Sequence, residues 1–250
     1  MDYAASFFEG RTSNWSYGTM KNFSTISGPV RYHLQRVYTT LACALFVSAV
    51  GVYMHVLLHI GGLITSLAFI ATTMWLLSTP ATPVNEGKRL ALLTGAAFCE
   101  GASLGTLVEA VLHFDPSIVA IAFLGSVAVF ACFSGAALLS KRREYLFLAG
   151  ILSSAVSTLL LLQFGSLFFG RSAFMYNLEL YGGLLLFVGY VLFDTQVIIE
   201  RAERGDFDYI KHALDLFVDF AAIFVRILVI LTKNSNERQR RDERRRKSRH

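Results

Sequence analysis

Four ionisable residues stand in stretches that are otherwise almost purely apolar: Asp194 in GYVLFDTQVII, and Asp215, Asp219 and Arg226 in ALDLFVDFAAIFVRIL. At about 100° per helical residue, positions 215, 219, 222 and 226 fall on one narrow stripe, so two acids and an arginine share a face. Two carboxyl groups that meet in low-dielectric surroundings do not both ionise readily, and one proton is shared between them. That chemistry has two readings: a pH-dependent latch, or a fixed polar contact that holds two helices together.

The elements that would carry these residues are membrane spans. Of the 250 residues, 54% are hydrophobic and 16% charged, with a mean hydropathy of +0.50, too apolar for a domain with a charged surface. The apolar residues are grouped into runs near Arg36 to Leu57, Gly62 to Leu77, Leu90 to Leu112, Ser117 to Leu139, Leu146 to Phe169, Leu178 to Ile199 and Ala213 to Leu231. About 20 helical residues cross a ~30 Å hydrocarbon core, whereas barrel strands alternate and need only ~9 to 11. The expected fold is an all-α polytopic membrane protein: a polar cytosolic segment over 1–35, a helical bundle over 36–231 and a basic tail over 232–250. The spacing and the segment lengths put Asp194 at about 8 Å and Asp219 at about 9 Å from the same membrane edge, on adjacent segments. A facing pair follows.

Basic residues orient the chain. Counted by connection, Lys and Arg favour a cytosolic N-terminus, which leaves the glycosylation sequons at Asn14 and Asn22 unused. The seventh run poses a conflict, because nine basic residues lie between Lys233 and Arg249. A re-entrant seventh segment puts 21 basic residues inside and only Arg171 outside; seven full crossings give 12 against 10. The expectation is therefore six crossings plus a re-entrant last segment with a cytosolic tail, a spanning seventh helix being the alternative.

The residues also carry a resemblance. GYVLFDTQVIIERAERGD (Gly189 to Asp206) and DFDYIKHALDLFVDF (Asp206 to Phe220) closely resemble the Bax inhibitor-1 family, and KRREYLFLAGIL from Lys141 and FDPSIVAIAFLGSVAVFACFS from Phe114 agree with it. The similarity extends from roughly Arg31 to Ile230. It implies an endoplasmic reticulum membrane protein that suppresses programmed cell death and lets calcium leak from the store, with calcium as transported ion and no cofactor. In bacterial relatives an aspartate pair senses pH, and by motif these carry over to Asp194 in FDTQ and Asp219 in FVDF. Those relatives also place an arginine in the second span; Gly62 to Leu77 has no Lys or Arg, and Arg226 is the candidate substitute.

The remaining ionisable residues sort by position. Glu100 and Glu109 are nine apart on the third span, on opposite faces, and are candidate ion-path residues. For Glu109 the preferred reading is an interfacial ion pair with His113, and a luminal cation mouth is the alternative. His55 and His59 lie one turn apart but are too few for a metal site. Glu200, Glu203, Asp206 and Asp208 alternate with Arg201, Arg204 and Lys211, which reads as a solvated hairpin and matches no EF-hand. Cys43, Cys99 and Cys132 read as buried thiols. The tail is suited to anionic headgroups, and the resemblance to plant members adds calmodulin as partner. Besides the bilayer, other endoplasmic reticulum membrane proteins are expected partners and nucleic acid is not. No motif of an enzyme class is present. An intramembrane aspartyl protease would carry Gly-x-Gly-Asp, whereas Leu192 and Phe193 precede Asp194 here. A non-conducting scaffold that holds death-signalling partners is the remaining alternative.

Overall fold

The computed structural model describes residues 27–140, 145, 147–170 and 172–247. Asn14, Asn22 and Arg171 lie outside them. Among the described residues the chain is helical, with no strand: α1 (Gly28–Leu58), α2 (Leu63–Ser78), α3 (Glu86–Leu112), α4 (Pro116–Leu139), α5 (Leu148–Phe169), the short α6 (Ala173–Asn177), α7 (Gly183–Glu203) and α8 (Tyr209–Lys247). A π-helical turn over Leu178–Gly182 joins α6 to α7. Five helical stretches are long and apolar enough to cross a membrane, and α2 is a shorter apolar helix. The chain is a polytopic helical membrane protein.

Local chemistry sets the boundaries. Asp115 caps α4 by accepting the Ser117 N–H at 2.9 Å, with Pro116 in the first turn where no backbone donor is needed. α1 stops at His59, which takes a left-handed φ of 54° and donates its N–H to the His55 carbonyl.

α1 and α3 form the tightest helix pair, through small residues. A Cβ built on Gly101 would lie 1.9 Å from the Ser48 carbonyl oxygen, and one on Gly51 would lie 2.4 Å from that of Phe98. Backbone meets backbone there, the arrangement that small residues permit in a membrane bundle. Gly101→Leu therefore has to part the two helices. The expected result is a loss of at least about 1–3 kcal/mol, the usual cost of overpacking, read as a lower unfolding midpoint in detergent, with Gly150→Leu on α5, where the added atom meets open space, as the mild control.

The seventh segment is a single unbroken helix. α8 is one continuous helix of 39 residues, about 58 Å long at 1.5 Å per residue, with no Gly or Pro to turn it back. Its first turn lies beside Arg36 and Glu86. Leu228 is buried among Val108, Val111 and Ile118, and the Lys233 ammonium donates to the Asn177 side chain and faces the Tyr176 and Tyr181 rings. Tyr209 and Lys233 thus mark opposite ends of the bundle. Helix α8 runs from one of these ends to the other without turning back.

Candidate functional site

α7 and α8 pack along each other and bring the stripe of acids onto α7. Asp194 of α7 and Asp219 of α8 stand next to each other across this contact. Asp219 is 4% exposed and its Oδ2 has no hydrogen-bond partner. Asp194 and Asp215 are half-buried. Ile198, one turn after Asp194, and Leu216, next to Asp215, are almost fully buried.

Beside Asp194 runs a short chain of hydroxyls. The Tyr38 and Ser134 hydroxyls are hydrogen-bonded, and Ser134 Oγ lies 3.1 Å from Thr195 Oγ1. This chain links α1, α4 and α7 through groups whose residue types carried no sequence signal.

Arg226 stays on the stripe but works on α7. Its Nη1 donates to the Ala222 carbonyl at 3.0 Å, its guanidinium lies 4.3 Å from the centre of the Phe187 ring, and a Cβ on Gly183 would stand 2.4 Å from its Nε. Seven residues separate it from Asp219, about 10 Å along the axis. The arginine is a packing partner for the π-helical turn and the start of α7, where Gly183 leaves it room.

At the Tyr209 end a second polar group binds α1, α3 and α8 together. Arg89 donates from Nη1 to Asp208 Oδ1 at 2.8 Å and from Nη2 to Oδ2 at 2.7 Å; the two side chains are only 5% and 12% exposed. Glu86 accepts from Arg36 at 2.7 Å and from the Tyr209 hydroxyl at 2.6 Å. His33 Nε2 and His212 Nδ1 are 2.9 Å apart, with both rings buried. Burial works to raise the Asp208 pKa, but the Arg89 hydrogen bonds, the Lys211 backbone N–H and nearby positive charge outweigh it and hold the carboxyl below its usual range. The solvated hairpin expected for residues 200–211 is thus a docked one: Asp208 is an anchor, and Glu200 is buried and paired with Arg204 at 2.9 Å. The reason is long range, since Arg89 lies 119 residues away.

At the opposite end Glu109 takes different partners from the one expected. Its two carboxylate oxygens meet His55 Nε2 and His59 Nε2, each at 3.0 Å, while His113 Nδ1 lies 2.8 Å from the Glu109 backbone carbonyl. The Gly61 N–H donates to His55 Nδ1 at 2.6 Å, which makes Nε2 the protonated nitrogen and leaves it no lone pair for a cation. Among the described residues no group of three or more His, Cys, Asp or Glu is arranged to hold a metal. Glu100 is half-buried on α3. Cys43 and Cys132 are exposed rather than buried and Cys99 is intermediate, all three as free thiols; in a membrane protein an outward thiol meets lipid, so the apolar run alone does not tell inside from outside.

Comparisons with known proteins place this arrangement. A family model described as Inhibitor of apoptosis-promoting Bax1 matches residues 30–236. The chain is 53% identical over 241 residues to Bax inhibitor 1 of Arabidopsis thaliana, covering 96% of this chain and 97% of that protein. It is 49% identical over 244 residues to Bax inhibitor 1 of Oryza sativa subsp. japonica, covering 98% and 97%, and 43% identical over 227 residues to Bax inhibitor 1 of Homo sapiens, covering 90% and 95%.

Proposed function

The chain belongs to the Bax inhibitor 1 family, and from that membership we propose that it suppresses programmed cell death in the endoplasmic reticulum membrane by a pH-sensitive calcium leak, without catalysing a covalent reaction. The observation that carries the leak is the juxtaposition of Asp194 on α7 and the buried Asp219 on α8. A proton shared between the two acids ties α7 to α8, and its gain or loss changes how firmly the two helices close. Asp215, one turn before Asp219 and half-buried, adds negative charge against full ionisation and offers a departing cation its next oxygen ligand. Glu100 is the proposed acid of the path elsewhere; Glu109, on the opposite face of α3, is held by His55 and His59.

The test is release of calcium from liposomes containing the purified full chain. Efflux faster than from protein-free liposomes, and changing with pH, is the expected result; efflux equal to that of empty liposomes removes the leak. A non-conducting scaffold is favoured by the burial of Asp219 itself and of Ile198 and Leu216 on the two helices that carry the pair. It is recognised by protection of cells that persists in an Asp194→Asn chain which passes no calcium.

We further propose that α8 crosses the membrane, which links two partners of the tail. Calmodulin is cytosolic, so a tail that binds it in the cell places the N-terminus in the lumen, where Asn14 and Asn22 meet the glycosylation machinery. The proposed cytosolic N-terminus places the tail in the lumen and leaves it to anionic headgroups. Expected, therefore, is either glycosylation at Asn14 together with calmodulin capture from intact cells, or neither. Both properties are read from one preparation, by glycosidase-sensitive mobility and by co-purification. An unglycosylated chain that captures calmodulin in cells would mean that α8 does not cross.

A further inference from the structure

α1 and α4 do not pack on each other along their lengths, and the space between them is a cavity of about 340 Å³. Its walls are Leu45 and Val52 of α1 and Val119 and Phe123 of α4, and its floor is Leu104 and Val108 of α3 with an aromatic face of α8. Ser48 supplies the one hydroxyl side chain of the lining. A water needs two to four polar partners, and this lining does not supply them. The rim reaches the surface that faces the bilayer: the lining residue Phe123 is 45% exposed.

We propose that this cavity is a binding site for one acyl chain of a bilayer phospholipid, which enters sideways between α1 and α4. The surroundings select the occupant: the cavity opens sideways on the surface that faces the bilayer, where the molecules that meet it are hydrocarbon chains. It lies within the range of about 300–1,000 Å³ typical of small-molecule sites. A single flexible hydrocarbon chain fits both the apolar walls and the lateral mouth. Pro116, Leu112 and Val52 line it, and all lie toward the end of the bundle where α1 finishes, so the lipid belongs to the leaflet on that side.

The site has a mechanical consequence. Phe217, Phe220, Ala221 and Phe224 face the cavity and, at 100° per residue, point half a turn away from Asp215, Asp219 and Arg226. α8 is therefore held between the acyl chain and α7. Acyl occupancy presses the acidic stripe onto Asp194, while an unfilled cavity lets α8 relax away from it. The binding site itself rests only on the membrane reading and stands whether or not the chain conducts calcium.

The test uses the full chain in liposomes of phosphatidylcholine that carries a photoreactive diazirine midway along one acyl chain. After irradiation, adducts are mapped by peptide mass spectrometry. Expected is several-fold heavier labelling of Val52, Val119 and Phe220 than of Leu161, which is 73% exposed on α5 and samples bulk lipid. Ala120→Trp, which fills the cavity from α4, should remove most of the cavity labelling and leave Leu161 unchanged. Val119→Phe repeats the blockade if the tryptophan variant does not fold, as judged by its unfolding midpoint. Cavity labelling no heavier than at Leu161, or undiminished by blockade, overturns the site. So does labelling displaced by a sterol, or adducts in which these residues are joined to a second copy of the chain.

Discussion

Asp194→Asn and Asp219→Asn should each abolish most of the pH dependence of calcium release while leaving the protein folded. Asparagine keeps the shape of aspartate and can still donate or accept a hydrogen bond, so the α7–α8 contact survives, but it cannot gain or lose a proton. A contact governed by one proton changes its equilibrium by up to about tenfold per pH unit across its titration. That dependence should flatten to near unity in either variant, because the proton belongs to the pair and removing either acid removes the sharing. The geometry makes the effect large: Asp219 is 4% exposed, with its second oxygen unpaired, so ionisation of both acids places uncompensated charge in a dry contact. The measurement is efflux from calcium-loaded liposomes at a series of pH values, with the unfolding midpoint as a check on folding. An unchanged pH profile in both variants would remove the paired-acid mechanism.

Breaking the Arg89–Asp208 pair should give the largest loss of stability. Arg89 is 5% exposed and Asp208 12%, and both hydrogen bonds are short. Removing one partner from such a pair leaves the other buried and unpaired, at a cost of about 3–5 kcal/mol, whereas replacing both by apolar residues of similar volume is often neutral. Arg89→Ala and Asp208→Ala are therefore expected to lower the unfolding midpoint sharply, and Arg89→Met combined with Asp208→Leu to recover most of it. Asp208 has a folded pKa below its unfolded one, so the unfolded state binds the proton more tightly. Its contribution is complete above the ordinary carboxylate pKa of about 4 and is lost as pH falls through the lower folded value. A pH titration of the midpoint that shows no acid-side loss from this residue, or single variants as stable as the double, would sink the assignment. The pair matters to function through position. It anchors the segment just before Tyr209, and so sets where α8 begins relative to α7 and at what depth Asp219 meets Asp194.

The sequence by itself determined the spans, their helical character and the stripe of acids, because each is a local periodic property. An apolar run of sufficient length needs a membrane, and residues 215, 219 and 226 share a helix face in any fold that keeps the helix. Counting residues from the span ends also put Asp194 and Asp219 at one depth, since 1.5 Å per residue holds along any α-helix. Tertiary structure decided which faces meet. Glu109 lies four residues from His113, yet its carboxylate bonds His55 and His59 on another helix. Asp208, set among alternating charges that suggested solvent, is anchored by an arginine on α3, and His33 meets His212 across the bundle. The continuity of α8 along the bundle was likewise hidden, because a charge count weighs the tail but not the apolar contacts of Leu228 with Val108, Val111 and Ile118. Spacing along a chain reports what shares a face; what that face touches depends on helices whose partners are chosen by shape and by the cost of leaving a buried charge alone.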